Sequence, residues 1–239
     1  MTGADVKQSS TAPDYGGLRI LEAMNEAPRY AAAIENHILQ VATSAGRILD
    51  FGAGDGLYAA KLRSRGLSVD CVELDPELRR QLAIAGHTVF DTLQSCTNET
   101  YDLIYSINVM EHIEEIAPIF SDMTRVLKPG GRVFIFVPAF QMLWTSLDTE
   151  VGHVRRFDKK LLSGEMAKAG LCVTQIRYFD LLGFPAALSV RLLETFNAFR
   201  YDAGSIGFYD RYVLPLSLAL DRVFSPVMGK NLIAVGQKI

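Results

Sequence analysis

Apolar residues along this chain follow two alternating rhythms. Short, almost wholly apolar runs occupy Arg47–Phe51, Val69–Glu73, Thr88–Phe90, Tyr101–Ile107 and Arg132–Val137. Between them, apolar positions recur every three or four residues. Strands covered on both faces need the first pattern, and helices crossing between parallel strands need the second. The punctuation agrees. Pro28 opens a helix that places Tyr30, Ile34, Ile38 and Val41 on one face, and a second runs from Gly56 to Arg65 and stops at Gly66. Asp75-Pro76-Glu77 reads as an N-cap followed by proline in the first turn. Ile116, Ile119, Phe120, Met123 and Leu127 keep helical spacing until Lys128-Pro129-Gly130-Gly131 ends the pattern.

After Pro138 the rhythm changes. Ala139–Phe157 is expected to be a long loop, Asp158–Ala169 a helix and Leu171–Phe179 a sixth strand. Residues 181–229 are apolar and helical, with breaks expected at Gly204, Gly207 and Pro215, before a seventh strand at Asn231–Gln237. The expected fold is α/β: a largely parallel sheet of seven strands, with a helical excursion, a cap, inserted before the last, returning strand. The parts are an arm and helix (1–46), the core (47–180), the cap or lid (181–229) and the final strand (230–239), one domain overall. Residues 1–17, rich in Ser, Thr, Gly and Asp, read as a mobile arm.

Composition narrows the class. Of 239 residues 49% are hydrophobic, and 27 acids against 24 Lys and Arg give a net charge of −3. A nucleic-acid partner normally asks for a basic footprint, so none is expected. Cys71, Cys96 and Cys172 are odd in number and form no CxxC, which points away from a disulfide framework and towards a reducing compartment. The longest uncharged run, Val133–Leu147, has 15 residues and contains Pro138, too short to span a bilayer. The start lacks the apolar stretch of a signal peptide, and a cytoplasmic protein is expected.

The chemistry is concentrated in Ile48-Leu49-Asp50-Phe51-Gly52-Ala53-Gly54-Asp55-Gly56. A buried strand ends in a loop of alternating glycines, which lets a ligand lie against backbone. Glu73, 17 residues after Gly56, closes the next strand, where a carboxylate can accept both hydroxyls of a ribose. The spacing is G-x-G-x-G, not the G-x-G-x-x-G that seats a pyrophosphate. Asp50 and Asp55 would repel a diphosphate, but they suit a ligand carrying an ammonium and a sulfonium, S-adenosylmethionine (SAM). A nicotinamide-dependent oxidoreductase and a non-catalytic SAM-binding protein are the alternatives.

On these residues the chain resembles the class I, Rossmann-like SAM-dependent methyltransferases, from about Pro28 to Gly170. ILDFGAGDG, CVELDP, VFDTLQS, YDLIYSINVMEHI and LKPGGRVFIFVP stand in the family's order. The resemblance implies a doubly wound, Rossmann-like, seven-stranded, mostly parallel sheet with an antiparallel last strand, SAM as cofactor, S-adenosylhomocysteine as product, and methyl transfer by in-line displacement. It places Asp50, Gly52 and Gly54 around the methionine part and Glu73 on the ribose. Leu74 would lie against the adenine, Asp91 and Thr92 near its amino group, and Ser106 at the methionine end facing substrate. MNEAPRY, LWTSLDTEVGHVRRF and the closing GKNLIAV strand are similar to a subfamily of bacterial methyltransferases.

The acceptor is expected to be a small, largely hydrophobic natural-product or lipid intermediate. Tyr30, His112, Phe140, Trp144 and Tyr178 are its candidate contacts. His153 is the candidate catalytic base, with Asp148 and Tyr178 behind it; the alternative is a structural hydrogen bond inside the loop. Arg155-Arg156 could bind an anionic substrate or simply pair with loop acids. His112 could also join Glu111 and Glu115 in a metal site, or be a helix-start histidine packed by the cofactor; some quinone-pathway methyltransferases bind a cation near this position, through a pattern with a further acid where this chain has Asn108. That incomplete set predicts no metal. Loop 139–157 and the 181–229 helices should close over the strand C-termini. The helices' apolar content permits a lipid or membrane contact, which Asp180, Arg191 and Glu194 restrain. A monomer or homodimer is expected.

Overall fold

A computed structural model describes residues 27–42, 45–195 and 203–239 of the chain. The polar arm at 1–17 lies outside the described residues. Seven strands form one sheet in the order β3-β2-β1-β4-β5-β7-β6. They are β1 (Arg47–Phe51), β2 (Ser68–Val72), β3 (Val89–Phe90), β4 (Tyr101–Ile107), β5 (Leu127–Pro138), β6 (Leu171–Phe179) and β7 (Asn231–Lys238). The β1–β2, β1–β4, β2–β3 and β4–β5 pairings are parallel, whereas β7 runs antiparallel to both β5 and β6. This is the expected architecture, with β7 slotted between β5 and β6.

Both faces of the sheet are covered, and alternation in β5 shows how. Val133, Ile135 and Val137 pack with Phe120 and Met123 of α4 (Ile116–Val126) and with Leu162 and Met166 of α6 (Lys159–Lys168). Phe134 and Phe136 point to the other face, towards Ile34 and Ile38 of α1 (Pro28–Val41) and Leu62 of α2 (Leu57–Ser64). Each such buried side chain stabilises the fold by roughly 1.5–3 kcal/mol. Asp75 caps α3 (Pro76–Ile84), its carboxylate accepting from the N–H groups of Glu77 and Leu78.

Two expectations are corrected. The segment 139–157 is not all loop: a 3₁₀ turn at Gln141–Leu143 and a short helix, α5 (Ser146–Glu150), lie inside it. A capping box between Thr145 and Asp148 starts that helix. The cap comprises α7 (Gly183–Thr195), α8 (Ala203–Phe208) and α9 (Leu214–Phe224). Neither Gly207 nor Pro215 breaks it, because a π turn at Tyr209–Val213 joins α8 to α9. Pro215 has no N–H to give to the carbonyl of Arg211. The Arg29 guanidinium donates to that carbonyl instead, at 2.6 Å.

Candidate functional site

Three non-glycine residues with positive φ mark the C-terminal ends of three strands: Asn108 (53°) after β4, Phe140 (60°) after β5 and Asp180 (66°) after β6. Such backbone collects at functional sites, where surrounding contacts hold it in place. Here the crevice has two halves.

The first half lies over β1, β2 and β3. Gly52, Gly54 and Gly56 all have positive φ. A Cβ on Gly52 would stand 2.4 Å from a methyl of Val109, so this glycine admits the β4 loop as well as shaping the turn. Glu73 is buried, and its carboxylate accepts from the N–H of Gly54 (2.7 Å) and of Asp75 (2.9 Å). The acid thus ties the glycine loop to the start of α3. Leu74 beside it is 70% exposed, an apolar platform without protein cover. Asp91 is exposed, accepts from the Ser95 hydroxyl (2.7 Å) and is held below the usual carboxylate range mainly by that bond. Thr92 also lies near Ser95, hydroxyl to hydroxyl at 3.4 Å.

Asp50 is buried and takes a hydrogen bond from the Tyr105 hydroxyl at 2.8 Å. Burial, aided by the charges of Glu73 and Asp55, pushes its carboxyl up to about 7. A positively charged neighbour would relieve that cost. Ser106 is buried at the end of β4, and its hydroxyl has no partner among the described residues. A carboxylate-rich crevice with glycine backbone and an exposed apolar platform fits the ammonium, sulfonium, ribose and adenine of SAM.

The second half lies over β4 and β5. Its loop is pinned at the neck by paired bonds, Phe140 N–H to Phe157 O and Phe157 N–H to Pro138 O, both 2.9 Å. Inside, Asp148 gathers five donors: Thr145 N–H (2.8 Å), Thr145 Oγ1 (3.1 Å), Arg156 Nε and Nη2 (both 2.9 Å) and His153 Nδ1 (2.7 Å). Burial works against its charge, but the bonds from His153 and Arg156 outweigh that and hold Asp148 well below the usual carboxylate range. An ionised carboxylate only accepts, so the Nδ1 of His153 carries a proton, and in the neutral imidazole Nε2 then presents the lone pair.

That Nε2 is buried without a hydrogen-bond partner, 3.8 Å from Glu111 Oε1. Glu111 is fully buried with neither oxygen hydrogen-bonded, and burial pushes its carboxyl up to about 8. The His112 ring stands 4.7 Å from the His153 ring, and burial lowers it to about 4, which keeps it neutral. One ligand atom from each of Glu111, His112 and His153 falls within 4.8 Å of the others. The expectation of no metal rested on Asn108, whereas the fold brings His153 in from the loop as a third donor. Glu115, on the neighbouring helix start, does not join this group.

Aromatic residues wall this half. Phe140 stacks on Tyr178 at 4.6 Å and meets Phe184 edge-on at 5.3 Å. Trp144, half-buried, donates its indole N–H to Thr149 Oγ1 and lies edge-on to His153 at 6.5 Å. Tyr30 is placed differently from the other candidate substrate contacts. Its hydroxyl is held by Asn231 (2.7 Å), and its ring is packed edge-on against Phe136 and Phe179, which makes it an anchor of α1. The arginine pair serves the loop: Arg156 binds Asp148, and Arg155 binds the carbonyl of Glu114. Glu111 gave no sequence signal of burial. The T-x-x-D of the capping box would have located α5.

The cap is fastened to this half. Glu194 of α7 accepts from the N–H and hydroxyl of Ser146, and Arg191 donates to the carbonyl of Met142. An open cleft of about 450 Å³ lies elsewhere, between α1 and strands β5, β7 and β6, lined by His37, Arg132 and Arg177 among others. It contains none of the candidate site residues.

The family described as methyltransferase domain matches residues 24–176. The chain belongs to that family. Among curated proteins it is similar to a ubiquinone biosynthesis O-methyltransferase of Xylella fastidiosa, 29% identical over 106 residues, covering 40% of this chain and 43% of that protein. It is also similar to the biotin biosynthesis bifunctional protein BioHC of Cellvibrio japonicus, 28% identical over 123 residues, covering 46% of this chain and 24% of that protein. The chain thus spans less than half the length of the curated relatives it matches.

Among solved structures, a SAM-dependent methyltransferase from Archaeoglobus fulgidus superposes with TM-score 0.64 at 15% identity, covering 94% of this chain and all of that one. A geranyl diphosphate C-methyltransferase from Streptomyces coelicolor superposes with TM-score 0.59 at 13% identity, covering 87% of this chain and 76% of that one. These two likenesses establish the fold, that of the class I SAM-dependent methyltransferases. SAM is the cofactor, and the nicotinamide alternative falls with the family assignment.

Proposed function

We propose that this methyltransferase O-methylates a small, largely apolar acceptor, with His153 as general base. The observation that carries this reading is the Asp148–His153 pair, joined at 2.7 Å with Nε2 buried and unpartnered. When bound, SAM supplies a methyl group already activated by its sulfonium. The protein's tasks are alignment, exclusion of water and acceptance of a proton. Glu73 and the glycine loop hold the adenosine end, Leu74 supports the adenine, and Asp50 favours the charged end. The walls of Phe140, Trp144 and Tyr178 receive an apolar acceptor, whose hydroxyl proton passes to His153 Nε2. Asp148 stabilises the imidazolium that results. The matched O-methyltransferase relatives support an oxygen acceptor.

A second reading has an observation of its own. Glu111, His112 and His153 form a two-histidine, one-carboxylate donor set that could hold a divalent cation, with Asp148 orienting His153 from behind. A bound cation would polarise the acceptor oxygen, leaving His153 a ligand instead of a base.

The test is His153→Ala. Turnover should fall by a hundredfold or more with SAM affinity unchanged. Intact turnover would remove His153 from the chemistry. Loss of wild-type activity on exhaustive chelation, with recovery on adding magnesium, would favour the cation.

A further inference from the structure

The helical run from Ala203 to Phe224 turns its acids inward. Asp210 is buried and accepts from the N–H groups of Arg29 and Tyr30. Asp221 is buried too and accepts from the N–H groups of Asp180 and Leu181. The outward side is apolar. Phe208, Tyr212, Leu216, Val223, Phe224 and, just beyond the helix, Val227 are between 47% and 69% exposed. Phe208, Tyr212 and Leu216 follow one another at steps of four, and the exposed Ala219 links them to Val223 and Val227 at steps of three and four. Residues so spaced share one helix face.

The charged side chains exposed within 203–227 are Arg211 and Arg222. Each directly precedes a residue of the stripe, Tyr212 or Val223, so cations flank the apolar stripe and no acid within 203–227 is exposed. Leu192 and Leu193 on α7 add to the exposed apolar surface. A contiguous patch of this kind marks an interaction site.

We propose that this face docks the chain onto an anionic lipid bilayer, lying in the interface instead of crossing it. Apolar anchors flanked by arginine are what an interfacial helix uses. No helix among the described residues is long and apolar enough to cross a membrane. A second copy of the chain fits less well, because pairing the face with itself would bring Arg211 and Arg222 towards their own kind without acids to answer them. The residues that restrained a lipid contact in the sequence are spoken for: Asp180 is fully buried, Glu194 is bound to Ser146, and Arg191 is bound to the Met142 carbonyl. Docking here would hold the cap, and with it loop 139–157, against the bilayer. The surface stands independently of the acceptor reading.

Vesicle co-sedimentation of the full chain, without SAM or acceptor, tests it. Binding is expected to phosphatidylglycerol–phosphatidylcholine vesicles, more weakly to phosphatidylcholine alone, and to fall as salt rises. Leu216→Asp and the double variant Arg211→Glu, Arg222→Glu should each reduce binding at least tenfold while leaving the melting temperature and SAM affinity near wild type. Absence of wild-type binding, or binding that both variants retain, overturns the proposal. A wild-type dimer in equilibrium sedimentation that Leu216→Asp splits, without vesicle binding, assigns the face to a second copy instead.

Discussion

Asp148→Asn preserves volume and removes charge at the residue on which the proposed base depends. Five donors converge on the two oxygens of Asp148. Asparagine offers one acceptor oxygen, so it must turn its amide nitrogen towards one set of them. If the nitrogen faces His153 Nδ1 and Arg156 Nε, the imidazole proton is driven to Nε2 and the base loses its lone pair. If it faces Thr145 and Arg156 Nη2, the capping box of α5 opens.

Either way a mostly buried arginine loses its counter-charge, its side chain being only 10% exposed. Breaking a buried pair from one side costs about 3–5 kcal/mol. The remaining bond from Arg156 Nη1 to Ala139 O argues for the lower end. At about 3 kcal/mol, a chain of this size should melt roughly 6–12 °C lower. Turnover should drop on the order of 10²–10⁴-fold, mostly in kcat, with SAM affinity near wild type.

The pH dependence carries a sign. The carboxyl of Asp148 is depressed in the folded state, so its stabilisation is present above the unfolded value near 3.8 and is lost as pH falls through the lower folded value. The gap in melting temperature between wild type and Asp148→Asn should therefore close in strong acid. Scanning calorimetry and S-adenosylhomocysteine release give the two readouts. Equal melting temperatures at neutral pH together with turnover within a few-fold of wild type would refute the reasoning.

Other outcomes follow from the same contacts. Glu73→Ala should weaken SAM and S-adenosylhomocysteine binding at least tenfold, about 1.4 kcal/mol, by removing a charged acceptor from the ribose; unchanged affinity by calorimetry in a folded variant would refute the ribose assignment. Because Asp50 sits at about 7 in the free protein, a cationic ligand should displace its proton, so SAM affinity should rise with pH through that value. Identical calorimetric enthalpies in buffers of different ionisation heat would contradict this. Burial raises the Glu111 carboxyl from 4.5 to about 8, so wild type should lose stability as pH rises across that window, and Glu111→Gln should flatten the loss. Parallel melting curves for the two proteins would show that Glu111 is not the group responsible.

The fold was largely legible because its signals are local. Apolar runs marked strands to within a residue or two, with β5 the exception: it begins at Leu127, before the Pro129-Gly130-Gly131 turn that reads as its start. The glycine loop and Glu73 were legible for the same reason, since backbone freedom and one carboxylate at a strand end are properties of short segments. The second half of the crevice was not. Whether Glu111 is buried depends on how loop 139–157 folds back over it, with the Val154 N–H on the Glu111 carbonyl at 2.8 Å. Tyr30 looked available because helical spacing cannot reveal that Asn231, 201 positions away, takes its hydroxyl. The cap's glycines and Pro215 read as breaks because propensity alone does not foresee a π turn with an arginine from α1 serving the freed carbonyl.

The most direct test of the proposed chemistry is to identify the methylated product. The protein would be incubated with SAM and a panel of small molecules bearing a hydroxyl, an amine or an activated carbon, in apolar and strongly charged versions. S-adenosylhomocysteine release would identify the acceptors, and NMR would locate the new methyl group. The expected result is methylation on oxygen of apolar hydroxyl compounds, lost in His153→Ala. Methylation on nitrogen or carbon, or turnover that His153→Ala leaves intact, would contradict it.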